Sequence, residues 1–226
     1  MLYIVATPIG NLEDITLRAI SVLRNADFIL AEDTRVTRVL LDKYNIPAKT
    51  ISYHQHSGFQ KIERIIELLK EGKNLALVTD AGTPGINDPG NYLVMKALEA
   101  IPDLKVVPIP GANAAIVALS VSGFPTDKFI FLGFPPHKKG RRTFFQLINL
   151  LDDTVVFYES KYRILKALKE LKEFSVIGNR QIVVARELTK QFETIYRGTI
   201  DEIMLKLSKN KNDLLGEFVV VIGFRQ

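Results

Sequence analysis

The chain has no cysteine, no tryptophan and only three histidines, His54, His56 and His137. Without cysteine there is no disulfide, no thiolate metal site, no cysteine nucleophile and no dithiol redox motif. A zinc site built on so few histidines would need several carboxylates to complete it, so no metal is expected. Long apolar runs are missing too. The longest, around residues 114–121, falls far short of the roughly 18–20 residues of a spanning helix. Met1-Leu-Tyr-Ile-Val-Ala6 has no basic stretch ahead of its apolar residues and does not read as a secretory leader. The expectation is a cytoplasmic protein with no membrane partner.

What is present is an ordinary globular composition. The 226 residues are 47% hydrophobic and 24% charged, enough apolar mass to repay the entropy of ordering. At about 100–200 residues per domain this is one large domain or two small ones. The net charge of +5 is unevenly placed. Residues 1–110 hold 12 Lys and Arg against 13 Asp and Glu, whereas residues 111–226 hold 18 against 12. The excess peaks at His137-Lys-Lys-Gly-Arg-Arg142, and no acid occurs between Asp127 and Asp152. Such a cluster attracts polyanions through Coulomb force and counterion release; a solvated basic loop is the plainer alternative.

The first half alternates short β-rich runs with helical spacings. Leu2–Ala6, Phe28–Ala31, Leu75–Thr79 and Lys105–Ile109 are apolar enough for strands buried on both faces of a parallel sheet. Between them Leu17, Ile20 and Leu23, then Val39, Leu40 and Tyr44, then Ile62, Ile65, Ile66 and Leu69 recur at helical spacing, and Gly72 reads as a helix stop. This βαβ repetition predicts an open parallel sheet with helices on both faces. Val107-Pro-Ile-Pro-Gly111 interrupts the pattern. Beyond it a short helix (113–122) leads to strands at 129–133, 154–158, 181–186, 193–197 and 217–223, expected to be mixed or antiparallel, with helices at 142–151 and 161–172. The fold class is therefore α/β in two domains, 1–112 and 113–226.

Three turn-rich stretches each follow a strand of the first half, and parallel strands bring such stretches to one edge. Ala6-Thr-Pro-Ile-Gly-Asn-Leu-Glu-Asp-Ile-Thr16 runs into a helix, where backbone N–H groups can receive a polar ligand; a simple connection capped by Asn11 or Asp14 fits equally. Val78-Thr-Asp-Ala-Gly-Thr-Pro-Gly-Ile-Asn-Asp-Pro-Gly90 is far longer than the usual ~2–6 residues of such a connection, which favours a binding loop, although Asp80 and Asp88 also suit turn caps. Pro108-Ile-Pro-Gly-Ala-Asn-Ala114 leaves little side-chain bulk, for a flat ligand or for close packing. Glu32-Asp-Thr-Arg35 closes the second strand, where a carboxylate can orient or deprotonate a hydroxyl or Asp33 can cap a helix. Ser52-Tyr-His-Gln-His56 closes the third; His54 and His56 share a face if extended, in a proton or phosphate role or a structural one.

Together these motifs resemble the tetrapyrrole methylase family. The resemblance continues through Gly123-Phe-Pro-Thr-Asp127, Lys138-Lys-Gly-Arg-Arg142, Phe157-Tyr-Glu-Ser160, Val184-Ala-Arg-Glu-Leu-Thr-Lys190 and Gly216-Glu-Phe-Val-Val220, so it covers essentially the whole chain. It is greatest to a branch that methylates the ribose 2′-hydroxyl of a cytidine in the decoding region of small-subunit ribosomal RNA. The resemblance implies a homodimer with S-adenosylmethionine held in a cleft between the domains. The implied cofactor contacts are Pro8, Ile9, Gly10, Asp80, Ala81, Gly82, Ile86, Pro110, Gly111, Asn113 and Ala114, with Tyr158, Glu159, Ala185 and Arg186 from the second domain. Glu32, Asp33 and Arg35, with His54 as a second candidate base, are expected to serve the ribose hydroxyl. Lys138, Lys139, Arg141 and Arg142 are expected to grip the RNA of an assembled or nearly assembled small subunit. Three positions depart from the branch pattern: Gly111-Ala-Asn-Ala114 replaces the commoner Gly-Pro-Ser-Ala, Gln55 a frequent Glu, and Lys161-Tyr162 the usual Pro-His. The competing readings are a methyltransferase acting on a small tetrapyrrole, and a non-catalytic ribosome-binding protein.

Overall fold

A computed structural model describes residues 1–54, 57–174 and 180–225. It divides into two compact units, Met1–Asn113 and Ala114–Gln226. The first is built on a parallel sheet of β1 (Leu2–Val5), β2 (Phe28–Ala31), β3 (Thr50–Ser52), β4 (Leu75–Leu77) and β5 (Val106–Ile109). The strand order is β3-β2-β4-β1-β5, so the chain steps one way from β1 to β3 and then doubles back through β4 to β5. Right-handed crossovers put connections of opposite direction on opposite faces. Accordingly α1 (Leu17–Asn25) and α2 (Thr34–Lys43) bury Ala19, Leu23, Leu40 and Leu41 against Val5, Ile29, Ala31 and Ala76. On the other face α3 (Phe59–Lys70) and α4 (Asn91–Ala100) bury Ile62, Ile65, Leu69, Leu93 and Ala97 against Leu2, Leu30, Leu75 and Leu77. Alternate strand residues serve alternate faces, as the pleat requires.

The doubling back positions the site. The connection leaving β4 goes to one face, while those leaving its neighbours β1 and β2 go to the other. That arrangement opens a crevice at the carboxyl ends of the strands, where ligands bind in open α/β sheets.

The second unit starts with α5 (Ala114–Ser120) and holds β6 (Phe129–Phe131), α6 (Arg141–Ile148), β7 (Thr154–Ser160), α7 (Ile164–Phe174), β8 (Ile182–Arg186), β9 (Thr194–Gly198), α8 (Ile200–Lys209) and β10 (Glu217–Ile222). Its sheet order is β6-β7-β10-β8-β9. The strands pair antiparallel except β6 with β7, which is parallel, so this edge departs from a purely antiparallel reading. Phe145, Phe157, Leu168, Ile203 and Phe218 form the core between the sheet and α6, α7 and α8.

Two helices, α4 and α8, lie where the sequence analysis expects none. In α4 Leu93 and Ala97 are buried, with Val94 and Ile101 partly buried beside them, and the Gly-Pro loop before it hides its start. For α8 a signal was there: Thr199 and Glu202 form a reciprocal capping box, the Thr-x-x-Glu signature of a helix start.

Candidate functional site

The loops leaving β1, β4 and β5 are stitched together by backbone. Thr7 and Gly82 exchange hydrogen bonds, Thr7 N–H to Gly82 O at 2.8 Å and Gly82 N–H to Thr7 O at 3.1 Å. The Thr7 hydroxyl donates to Thr79 O at 3.0 Å, and that of Thr83 to Ala112 O at 3.2 Å. Gly82 lies at φ +90° and is buried near Ile9 and Ala112, a backbone conformation that favours glycine. At Gly111 an added Cβ would come within 2.9 Å of Ala6 Cβ. Gly111→Ala is therefore expected to lower stability by about 1–3 kcal/mol, read by urea unfolding, because the loops after β1 and β5 would have to part.

This convergence brings together the first-unit residues implied by the family resemblance. Pro8, Ile9 and Gly82 are buried, while Gly10, Asp80, Ala81, Ile86, Pro110 and Gly111 are exposed. Asn113 ends the first unit, half-buried.

The loop leaving β2 adds the acids. Thr79 Oγ1 donates to Glu32 Oε2 at 2.8 Å, and the Asp33 N–H donates to Asp80 Oδ1 at 3.0 Å. Asp33 caps α2 by accepting from the Arg35 N–H at 2.8 Å and pairs with the Arg35 guanidinium at 2.6 Å. The hydrogen bonds from Arg35 hold its carboxyl down at about 2, so it is a weak base. Asp88 behaves oppositely. Burial, reinforced by the charges of Glu32 and Asp80 and only partly offset by Thr79, pushes it up to about 6. Asp88 and Thr79 are the residues that sequence reasoning did not assign to the site. Asp88 lies eight residues beyond Asp80 and looks like a turn residue until the loop is folded back. Gly85, Gly90 and Asn91 make that fold, with Asn91 Nδ2 donating to Gly85 O at 2.8 Å. Asn11 caps a single 3-10 turn and Thr16 caps α1, which leaves Asp14 out of the capping. His54 is exposed just past β3, its backbone N–H on Ser57 Oγ at 3.0 Å. His56 and Gln55 lie outside the described residues.

In the second unit three of the expected site side chains have internal partners. Arg141 is 5% exposed, with Nε on Glu170 Oε2 at 2.6 Å, both terminal nitrogens on Glu159 Oε2 at 3.3 Å and Nη1 on Pro136 O at 3.2 Å. It is not available to a phosphate; Lys138, Lys139 and Arg142 are exposed and are. Glu159 is wholly buried between Arg141 and Arg163, which occupy its carboxylate. The Arg186 guanidinium is likewise enclosed, donating to the carbonyls of Phe192, Asn212 and Leu215. Ala185 is buried in β8, and the Tyr158 hydroxyl accepts from the Ala115 N–H at 3.2 Å, beside Ala114 at the start of α5. Among the described residues no helix is long and apolar enough to cross a membrane, and no group of three or more His, Cys, Asp or Glu is placed to hold a metal.

The first-unit edge suits S-adenosylmethionine in chemistry. Exposed Asp80 and half-buried Glu32 and Asp88 offer negative charge to a sulfonium and an ammonium, and exposed Ile86 offers an apolar contact beside them. Comparison with known proteins gives the family. The sequence profile of the Tetrapyrrole (Corrin/Porphyrin) Methylases matches residues 1–204. A protein of Escherichia coli O157:H7 named "Ribosomal RNA small subunit methyltransferase I" is 47% identical over 98% of this chain and 77% of its own length. Its namesake from Thermotoga maritima is 44% identical over 100% of this chain and 99% of its own length. In fold, the chain resembles the methyltransferase CobJ (TM-score 0.70, 19% identity, 100% of this chain and 95% of that one). It also resembles diphthine synthase (TM-score 0.71, 14% identity, 98% and 89%).

Proposed function

The chain belongs to the tetrapyrrole (corrin/porphyrin) methylase family, and from that premise we propose that it methylates the ribose 2′-hydroxyl of a cytidine in the decoding region of small-subunit ribosomal RNA. It is an S-adenosylmethionine-dependent methyltransferase. The observation that carries the substrate reading is identity of 44–47% over nearly the whole chain with proteins named for small-subunit ribosomal RNA. A tetrapyrrole substrate leaves the exposed Lys138, Lys139 and Arg142 without a use. The assembled or nearly assembled subunit is the proposed substrate, a homodimer the proposed assembly and the cytoplasm the proposed location.

Bound S-adenosylmethionine supplies a methyl carbon made electrophilic by a positively charged sulfur. The groups that would hold it in the first unit are Pro8, Ile9, Gly10, Asp80, Ala81, Gly82, Ile86 and the turn Pro110–Asn113. The other tasks fall to the chain's own acids. A ribose hydroxyl is a poor nucleophile until its proton has somewhere to go, and an acceptor works best with a pKa near the working pH. Asp33, held at about 2 by Arg35, serves instead to fix α2 and, through its N–H, the Asp80 carboxylate. Asp88, pushed up to about 6 beside Glu32, is the better acceptor. The proposed base is the Glu32–Asp88 pair, with Thr79 orienting Glu32; His54 remains the second candidate. Much of the remaining rate comes from holding oxygen and methyl carbon in line.

The test is transfer of labelled methyl from S-adenosylmethionine to small subunits from cells lacking this protein, with nuclease mapping of the label. Label on one ribose 2′-oxygen is the expected result; label on a porphyrin precursor and none on RNA overturns it. Neutralising Lys138, Lys139 and Arg142 together is expected to weaken subunit binding and to reduce the slope of log affinity against log salt by about 2–3. Filter binding across a salt series checks this.

A further inference from the structure

The parallel pair β6 and β7 brings two segments of the second unit to one edge of its sheet: the loop after β6, which carries the basic residues, and the turn 161–163 after β7. Arg163 ties them, with Nη1 donating to Pro135 O at 3.4 Å and Nε pairing with Glu159 Oε1 at 2.9 Å. Arg141 ties them again through Pro136 O and Glu159. The exposed Lys138 and Lys139 therefore share this edge with Lys161 and Tyr162. Two acids behind this edge are already paired, since Glu159 is buried between two arginines and Glu170 is paired to Arg141 at 2.6 Å.

On this edge Tyr162 is 85% exposed, and Lys161 Nζ stands 5.1 Å from the centre of its ring. An isolated exposed aromatic means little. A flat ring standing clear of the surface, beside a cation and continuous with a phosphate-attracting loop, has the makings of a stacking platform for an unpaired base. Lys161 lies over the ring, so one face and the ring's outer edge stay open.

We infer that Tyr162 stacks on an unpaired base of the bound RNA while Lys161, Lys138 and Lys139 follow its backbone. This rests on the proposal that the substrate is RNA, and it adds that a nucleotide of the bound RNA must be single-stranded. Duplex would be gripped by its phosphates but would offer this ring no base face.

Because the chain has no tryptophan, Tyr162→Trp places a sole indole at the platform, readable by fluorescence. The probes are a short unpaired oligoribonucleotide copying the decoding-region strand, and the same strand in duplex, each end-labelled for anisotropy. Quenching of the indole by the single strand and not by the duplex is expected. Tyr162→Ala should weaken single-strand binding about 5- to 100-fold, with the salt slope unchanged. Tyr162→Phe should restore binding, and Lys161→Ala should lower the slope by about 0.7. Anisotropy showing tight binding with a silent indole and unaltered Tyr162→Ala affinity overturns the platform and leaves the RNA reading standing. Equal quenching by duplex also overturns it. Failure of the parent protein to bind either probe or the small subunit overturns the RNA reading and this inference together.

Discussion

Asp88→Asn is expected to make the protein more stable and much less active at neutral pH. Burial and the neighbouring Glu32 charge raise the Asp88 carboxyl from 3.8 to about 6, so folding favours the protonated form. Its ionisation therefore opposes folding. The penalty is absent below about pH 4, grows as pH rises toward about 6 and is constant above. An asparagine carries no such penalty, and it should add about 1–2 kcal/mol of stability above about pH 6, after allowance for the partial exposure of the site. That gain should vanish below about pH 4; thermal melts at three pH values read it. Loss of the proton acceptor should lower methyl transfer about 100- to 10,000-fold, and the parent enzyme should lose activity as pH falls through about 6. A variant equally stable at all three pH values, or fully active, would remove Asp88 from the role given to it.

Glu159→Gln is expected to destabilise the second unit strongly. The carboxylate sits between the Arg141 and Arg163 guanidiniums and is wholly buried. The amide would leave the buried Arg141 with only Glu170 opposite it and would take the carboxylate from the partly exposed Arg163. Removing one member of a buried ionic group typically costs about 3–5 kcal/mol, and urea unfolding should register a loss of that order. Arg141→Ala should also destabilise, yet leave the salt slope of RNA binding untouched, whereas Lys138→Ala should lower that slope without affecting stability. The pair of measurements separates an anchoring arginine from a phosphate-gripping lysine, although the two stand in one basic run.

How far these features were legible differs from residue to residue. The parallel sheet was readable because Leu2–Val5, Phe28–Ala31 and Leu75–Leu77 are apolar without alternation, the mark of strands covered on both faces. The meeting of the loops after β1, β4 and β5 followed from parallel strands alone. Which carboxylate would be weak and which strong did not. Asp33 and Asp88 are the same residue type in turn-like settings; Arg35 stands two residues from Asp33 in its own motif, but only the fold places Asp88 against Glu32. Arg141 is an intermediate case. In the sequence it belongs to a run of cations, but Phe145 and Ile148 follow it at helical spacing. That pattern puts position 141 on the buried stripe and Arg142 off it.

The order of the first sheet bears on how the protein is made. β1 emerges first in synthesis, but its partners are β4 and β5, so residues 2–5 must wait for residues 75–77 and 106–109. Meanwhile β2 and β3 can already pair. An apolar strand with both edges open is the kind of segment that aggregates or recruits a chaperone during translation. The nascent chain cannot pair both edges of β1 until residue 109 has left the ribosome.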